Sequence, residues 1–215
     1  MKKIAVVLSG CGVYDGAEIH EAVLTMFAIA DNGAAYEIFA PDIDQHHVVN
    51  HITGSEMDEA RNVLIESARI ARGNIKALSE FSGKEFDAII FPGGFGAAKN
   101  LSTFAFDGSN CQVNSDVEAA IKEMVSLAKP VGALCISPVI LAKILGDVEL
   151  TIGDDAGTIQ AIQEMGATHK ATTHGEVVVD QQHKIVTTPC YMLDATITQI
   201  EEGARNVVKA ILEMV

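Results

Sequence analysis

The sequence is poor in basic residues. Only fifteen Lys and Arg stand against twenty-nine Asp and Glu in 215 residues, which gives a formal net charge of −14. Nucleic acids and anionic membranes both require a basic surface, so this charge argues against either partner. Small molecules and other protein chains remain the expected partners.

Long hydrophobic runs are also missing. Each apolar run is as short as a strand and ends at Gly, Pro or a charged residue, whereas a membrane span needs about 20 consecutive apolar residues. The basic and then apolar start from Met1 to Leu8 is similar to a secretory leader, but it stops at Ser9-Gly10 without a small-residue cleavage pattern. We interpret it as a first strand and expect a cytoplasmic protein.

Metal and cofactor motifs are absent from the pattern of cysteines, histidines and glycines. Four cysteines show neither CxxC pairing nor the His spacing of a zinc site, and a chain of this size does not need disulfides. His46, His47 and His51 lie in a polar loop without ligand spacing, so we expect a solvated loop and no metal. Gly10-Cys11-Gly12 lacks the third glycine of a dinucleotide fingerprint, so no cofactor is expected.

Strand and helix patterns alternate along the whole chain. This order predicts one α/β domain over residues 1–215, a doubly wound and mostly parallel sheet with helices on both faces. The predicted strands are Lys3–Leu8, Tyr36–Ala40, Phe86–Phe91, Val131–Leu134, Glu149–Ile152 and two within Val177–Thr188. The predicted helices are Asp15–Gly33, Ser55–Arg72, Ser115–Ala128, Pro138–Gly146, Thr158–Met165 and one from Asp194 onward, with a capping box at Ser115 and Glu118.

Two carboxylates stand near the start of the first predicted helix. Asp15 is its expected N-cap, with Glu18 bonding back to it in a capping box, and the apolar residues Ile19, Val23, Leu24 and Phe27 are expected to face the core. Glu21 has no capping role. If it points inward, its pKa is raised and it becomes an acid or base near neutral pH; an exposed helical Glu is the alternative.

Cys135 occupies a sharp turn from a strand into a helix. The segment Ala133-Leu134-Cys135-Ile136-Ser137 has small residues on both sides of a nucleophile, as a nucleophile elbow requires, and this geometry is expected to expose the sulfur. A thiol at a helix N-terminus is expected to have a lowered pKa. The alternative is an inert core cysteine.

Four segments are expected to meet in the crevice that the carboxyl ends of parallel strands form. They are the loops Ser9–Gly12, Phe91–Gly96 and Cys135–Pro138, and the helix start with Glu18 and Glu21. Backbone N–H groups of Gly94 and Ile136 are expected to bind a developing oxyanion, and Gly93, Gly10 and Cys11 to contact the substrate. Cys11 also has a structural reading, as a small residue that a tight turn accepts, and Cys111 and Cys190 are read as structural.

The same segments resemble a known family. Phe91-Pro92-Gly93-Gly94, then Gly96 to Ser102, then Ala133-Leu134-Cys135 resemble the ThiJ/PfpI superfamily. Leu8 to Gly16 and Thr187 to Met192 are similar to its ElbB group, described as glyoxalases or as isoprenoid-biosynthesis proteins with an amidotransferase-like domain. The likeness extends over nearly the whole chain.

The resemblance implies a flavodoxin-like fold, a homodimer and a weak, cofactor-independent conversion of glyoxal, a small α-oxoaldehyde, to glycolate. It implies that Cys135 is the nucleophile, that Glu21 is the glutamate bonded to it, and that Gly94 and Ile136 supply the oxyanion amides. Amidotransferases place His after the nucleophile, where this chain has Ile136. That departure disfavours an amidotransferase, and a non-catalytic redox sensor or partner-binding protein with an oxidisable Cys135 stays open.

Overall fold

Nine strands form two sheets in the computed structural model, which describes all residues from 1 to 215. The strands are β1 (Lys3–Val7), β2 (Ala35–Ala40), β3 (Lys76–Ala77), β4 (Ala88–Phe91), β5 (Val131–Leu134), β6 (Glu149–Leu150), β7 (Thr168–His169), β8 (Val178–Asp180) and β9 (Ile185–Thr188). Seven of them make the main sheet in the order β3-β2-β1-β4-β5-β9-β8, and β6 pairs with β7 in a separate two-stranded sheet. Every pairing is parallel except that of β8 with β9.

Helices cover both faces of the main sheet. They are α1 (Ile19–Asp31), α2 (Val63–Ile70), α3 (Phe95–Lys99), α4 (Phe104–Asp107), α5 (Ser115–Ser126), α6 (Pro138–Leu145), α7 (Ala156–Glu164) and α8 (Ile197–Leu212). Two buried apolar clusters result, one including α1 and α8 and the other including α5 and α6. None of the helices has both the length and the apolar character needed to cross a membrane.

The strand order fixes where the chain can bind a ligand. Starting from β1, two connections lead outward to β2 and then β3, and the next returns to β4 on the other side of β1, so the winding direction reverses between β1 and β4. In open parallel sheets the crevice beyond this reversal is the usual ligand site, and the flavodoxin-like order follows this rule. The predicted doubly wound α/β fold is therefore confirmed.

Several predicted boundaries differ from the structure. The helix expected over Ser55–Arg72 is only α2, which begins after Asn62, whose side chain accepts a hydrogen bond from the N–H of Ile65. The predicted Ser115 capping box is wrong because Asn114 caps α5. The strand predicted from Glu149 is β6, which pairs with β7 outside the main sheet. Strand β3 was not predicted. The last helix was predicted from Asp194 and begins after Thr196.

The predicted apolar face of α1 is wrong for three of its four residues, and only Leu24 packs against the core. Ile19, Val23 and Phe27 are between 42% and 48% exposed. The buried residues of this helix are Glu21, Ala22, Thr25, Met26, Ala28 and Ile29. Two of these are alanines, and a face of small side chains lets α1 pack closely against α8.

Candidate functional site

Cys135 lies at the turn between β5 and α6. Its φ of 58° is in the left-handed region, which a side chain with a Cβ rarely adopts. The turn is held by a hydrogen bond from the Cys135 N–H to the Thr188 carbonyl (3.0 Å) and by one from the Ser137 hydroxyl to the Pro92 carbonyl (2.8 Å). The predicted elbow is therefore present, but its sulfur is not broadly exposed: Cys135 is only 7% accessible and opens into a cavity.

Glu21 is fully buried beside this thiol. One carboxylate oxygen accepts a hydrogen bond from the N–H of Gly93 (2.9 Å), and the other accepts one from the N–H of Tyr191 (3.4 Å). The carboxyl is also within hydrogen-bonding reach of Cys135. A Cβ on Gly93 would lie 2.4 Å from the Cβ of Cys135 and 2.7 Å from Oε2 of Glu21, so only glycine allows the two side chains to meet there.

The start of α1 explains how Glu21 reaches this position. Glu18, and not Asp15, is the N-cap: its carboxylate accepts a hydrogen bond from the Glu21 N–H at 2.7 Å. The Asp15 carboxylate accepts one from the Val49 N–H at 2.7 Å and so fixes a neighbouring loop. The expected capping box between Asp15 and Glu18 is therefore wrong, and the helix begins three residues later than predicted.

Burial dominates the ionisation of this pair. It raises the pKa of Glu21 from 4.5 to about 8, and the charge of Glu18 adds to the effect. Burial and then the Glu21 charge raise the pKa of the Cys135 thiol, so the expected lowering by the helix dipole is wrong. At neutral pH the pair holds both protons in most molecules. Because the two groups interact, the loss of the first proton is a property of the pair and leaves one proton between them.

Two backbone amides point at the sulfur. The N–H groups of Gly94 and Ile136 donate hydrogen bonds toward Cys135 and oppose the rise of its pKa. Gly94 has a φ of 98°, and a Cβ there would lie 2.4 Å from the Gly16 carbonyl oxygen. The structure thus brings Cys135, Glu21, Gly94 and Ile136 together, while their catalytic roles remain predictions.

A cavity of about 420 Å³ opens over Cys135. Gly94 and Ile136 line it, but Gly10 and Cys11 do not. The Gly10 N–H donates to the Ser67 hydroxyl at 2.9 Å, away from the cavity, and the first loop contributes Val13 instead. Gly93 does not line the cavity either. It lies against Cys135 and Glu21, and its lack of a side chain lets those two residues come into contact.

Tyr191 is a site residue that reasoning from the sequence missed. It lines the cavity, and its hydroxyl lies 2.8 Å from Nδ1 of His20. The pKa of Tyr191 is raised by burial and by the nearby carboxylates Glu18 and Glu21. Tyr191 lies in the segment Thr187–Met192, one of the segments that resemble the ElbB group. That resemblance was the signal in the sequence that could have identified it.

Histidine does not contact the thiol. His20 reaches the site only through Tyr191, and His174 bonds to the Asp194 carbonyl at 2.9 Å. His174 borders a more open and more polar groove of about 540 Å³ that contains no cysteine. No cluster of three or more His, Cys, Asp or Glu side chains has the arrangement of a metal site.

Curated proteins similar to this chain show its family. It is 49% identical to the human mitochondrial glutamine amidotransferase-like class 1 domain-containing protein 3, over 99% of this chain and 83% of that protein. It is 37% identical to the zebrafish mitochondrial ES1 protein, over 98% of this chain and 85% of that one. These names, with that of a rat homologue, point to mitochondria, so the expected cytoplasmic location is contradicted.

Solved structures carry the same fold. An isoprenoid biosynthesis protein with an amidotransferase-like domain from Ehrlichia chaffeensis is 33% identical, with a TM-score of 0.94 over 100% of this chain and 99% of that chain. Glyoxalase III from Candida albicans has a TM-score of 0.63 at 15% identity, over 99% and 97% of the two chains, and so shares the fold alone. No family model matches the sequence. On its identity to these relatives over nearly its full length, the chain belongs to the family of the glutamine amidotransferase-like class 1 domain and ES1 proteins.

Proposed function

We propose that this chain is a cofactor-independent glyoxalase that converts glyoxal to glycolate. The observation that carries the proposal is the contact between a buried thiol and a buried carboxyl, Cys135 and Glu21, at the floor of a cavity with two backbone N–H groups directed at the sulfur. Nucleophile, acid or base and oxyanion donors are the groups that rearrangement of an α-oxoaldehyde requires. Glyoxalase III supports this only by sharing the fold.

The first step uses the single proton that remains after the pair ionises. The Glu21 carboxylate, which ionises before the thiol, takes the proton from Cys135 as the sulfur attacks one aldehyde carbon and an S–C bond forms. The N–H groups of Gly94 and Ile136 bind the oxygen on which negative charge develops, and a proton from Glu21 neutralises it to give a hemithioacetal.

The second step moves a hydrogen between the two carbons. Glu21, now a carboxylate, removes the proton from the sulfur-bearing carbon, and the electron pair forms an enediol. Glu21 then returns the proton to the second carbon, and the hydroxyl proton on the sulfur-bearing carbon leaves as its C=O bond forms. This gives a thioester of glycolic acid on Cys135, and the released proton balances the one that the second oxygen took up. Water hydrolyses the thioester and releases glycolate and the thiol. One carbon is oxidised and its neighbour is reduced, so no external oxidant takes part.

Tyr191 is suited to protonate the second oxygen of the substrate. Its raised pKa keeps the phenol protonated, and it lines the cavity. His20 is 51% exposed at its side chain and connects the Tyr191 hydroxyl to bulk water, from which a transferred proton is replaced. In this role Tyr191 transfers its proton to the second oxygen of the substrate as charge develops there.

Two other functions fit less well. A redox sensor would use the same thiol, but it gives the fully buried Glu21 carboxyl beside that thiol no role. An amidotransferase needs a base such as His beside the thiol, and here the contacting group is Glu21, with Ile136 where that His would follow the nucleophile.

A homodimer and a small α-oxoaldehyde substrate remain part of the proposal, with neither nucleic acid nor membrane as a partner, in keeping with the net charge of −14. Sedimentation velocity measures the assembly directly. A strict monomer at micromolar concentration would contradict the dimer and leave the chemistry of the site untouched.

The test of function follows glyoxal loss and glycolate formation by purified protein. Cys135→Ala should abolish the conversion, and Glu21→Gln should lower kcat/KM by about a hundredfold or more, because general acid–base catalysis contributes 10²–10⁴-fold. Glu18→Gln is the matched control: a Gln oxygen still accepts the Glu21 N–H, so most activity should remain. Glycolate formation by folded Cys135→Ala protein would refute the proposal.

A further inference from the structure

The residues that line the cavity over Cys135 are mostly apolar, so the cavity is suited to an apolar group. Nine of its twelve lining residues are hydrophobic. The large side chains come from four separate segments of the chain, with Phe95 and Phe104 from α3 and α4, Ile136 from the elbow and Met192 from the turn after β9. An aldehyde group bound at Cys135 is therefore surrounded mainly by hydrocarbon.

The cavity is also larger than glyoxal requires. It measures about 420 Å³. A water molecule takes about 30 Å³ of liquid, so a two-carbon aldehyde with four heavy atoms occupies only a minor part of that space. Apolar walls that a ligand does not reach contribute nothing to its binding, whereas a hydrophobic substituent that fills them contributes in proportion to the apolar area it buries.

Charge excludes one class of larger substrate. Asp155 is the only charged residue lining the cavity, and no Lys, Arg or His stands with it. Asp155 accepts hydrogen bonds from the N–H and the hydroxyl of Thr158, at 2.8 and 2.7 Å, which hold its pKa below the usual value and keep it anionic. A carboxylate or phosphate on the substrate would find no cation in the lining, and the exposed Asp155, screened by water, adds a smaller repulsion.

We propose that the preferred substrates are α-oxoaldehydes with an uncharged aromatic or branched aliphatic substituent, and that glyoxal is a poor member of the class. The proposal rests on the proposed glyoxalase function. It assigns the reacting aldehyde to Cys135 and the substituent to the hydrophobic walls formed by Phe95, Phe104 and Met192.

Substrate comparison provides the first test. The kcat/KM for phenylglyoxal should exceed that for glyoxal by tenfold or more, after each is normalised to its rate with a free thiol, because one methylene in a fitted pocket is already worth about 10–200-fold. 4-Carboxyphenylglyoxal keeps the ring and adds a negative charge, and its kcat/KM should fall at least tenfold below that of phenylglyoxal. Equal values for glyoxal and phenylglyoxal, or no effect of the carboxylate, would overturn the proposal.

Two phenylalanines on one short helix give a matched pair of variants. Phe104 lines the cavity, whereas Phe106 is 46% exposed and stacks on His46 with ring centroids 4.1 Å apart. Phe104→Ala should reduce the ratio of phenylglyoxal to glyoxal kcat/KM several-fold, and Phe106→Ala should leave that ratio unchanged. Equal effects of the two variants would count against the assigned wall.

Alkylation separates a failure of this proposal from a failure of the proposed function. Phenacyl chloride and chloroacetone react with thiols without turnover. Their rates of alkylation at Cys135 are measured by peptide mapping, and each is divided by its rate with a free thiol. The corrected rate for the aromatic reagent should be tenfold higher. If no aldehyde is converted but this preference is present, the glyoxalase function fails and the apolar cavity stands. A ratio near one would overturn the cavity assignment whatever the enzyme does.

Discussion

Replacing Glu21 by Gln should change how the stability of the protein depends on pH. Burial, with a contribution from the charge of Glu18, raises the pKa of Glu21 from 4.5 to about 8. Between these values the folded protein keeps the proton that the unfolded chain has lost, so unfolding releases a proton. The stabilisation is therefore complete below pH 4.5 and is lost progressively as the pH rises to about 8.

The magnitude follows from the two pKa values. Each pH unit inside the window lowers the free energy of unfolding by about 1.36 kcal/mol. Over the window from 4.5 to about 8 the loss attributable to Glu21 is ~5 kcal/mol. A domain has only about 5–15 kcal/mol of stability in total, so the effect is large enough to measure.

Urea unfolding followed by circular dichroism tests this value. The wild-type protein and Glu21→Gln are compared at several pH values from about 5 to about 8.5, and the difference between their free energies of unfolding should move ~4 kcal/mol in favour of the variant. The Gln oxygen can accept only one of the hydrogen bonds from the Gly93 and Tyr191 N–H groups, and its NH2 group faces the other N–H. This mismatch adds a cost that does not depend on pH. Titrating groups outside the site are common to both proteins and cancel. Cys135 loses the contribution of the Glu21 charge in the variant, but burial, the larger cause, still raises its pKa above this range.

An exposed carboxylate provides the control. Hydrogen bonds from Ser109 and Gln160 hold the pKa of Glu164 below 4.5, so this group is ionised in both states throughout the range. Glu164→Gln should therefore give a difference from wild type that stays nearly constant with pH. If the Glu21→Gln difference is equally constant, Glu21 is not a buried acid with a raised pKa, and the proton inventory of the proposed mechanism is wrong.

Three further predictions concern activity. The kcat/KM for glyoxal, after subtraction of the rate with Cys135→Ala, should rise about tenfold from pH 6 to pH 7. It should level off above the Glu21 pKa of about 8. A flat profile would contradict a mechanism in which Cys135 and Glu21 hold one proton between them. Tyr191→Phe should lower kcat more than tenfold with little change in KM, and a change confined to KM would assign Tyr191 to binding. Gly93→Ala should cost about 1–3 kcal/mol of stability, seen in Tm, and most of the activity, because its Cβ would lie 2.4 Å from that of Cys135, whereas the open Gly157→Ala should retain both.

The parts of the fold that follow from local sequence were predictable. β1 and β5 are short buried apolar segments. Gly10 comes soon after β1, and Pro130 directly precedes β5. The elbow at Cys135 was recognisable because a turn so tight leaves a pattern in a few adjacent residues. Pro138 at the start of α6 and Gly146 at its end, with a φ of 69°, mark that helix by the same local rules.

The segment before α2 shows why other parts were not predictable. The segment from Ser55 to Asn62 is held by partners outside it: the Met57 N–H donates to the Val48 carbonyl, and the Arg61 carbonyl accepts from the Gln45 N–H. These partners lie outside the segment, so no helix or strand periodicity reports the contacts. A predicted helix there was overridden by hydrogen bonds that exist only in the folded chain.

The orientation of α1 is the most informative failure. Residues two apart project to nearly opposite sides of a helix, so burying Glu21 turns Ile19 and Val23 toward solvent. An apolar side chain gains about 1.5–3 kcal/mol when it is fully buried, so this orientation forgoes stabilisation that the predicted face would have supplied. Because burial also raises the pKa of Glu21, the helix holds an acid next to Cys135 at the expense of its own amphipathic pattern. Such a conflict between local pattern and packing is expected at functional sites, and here it identifies the carboxyl group that the proposed reaction needs.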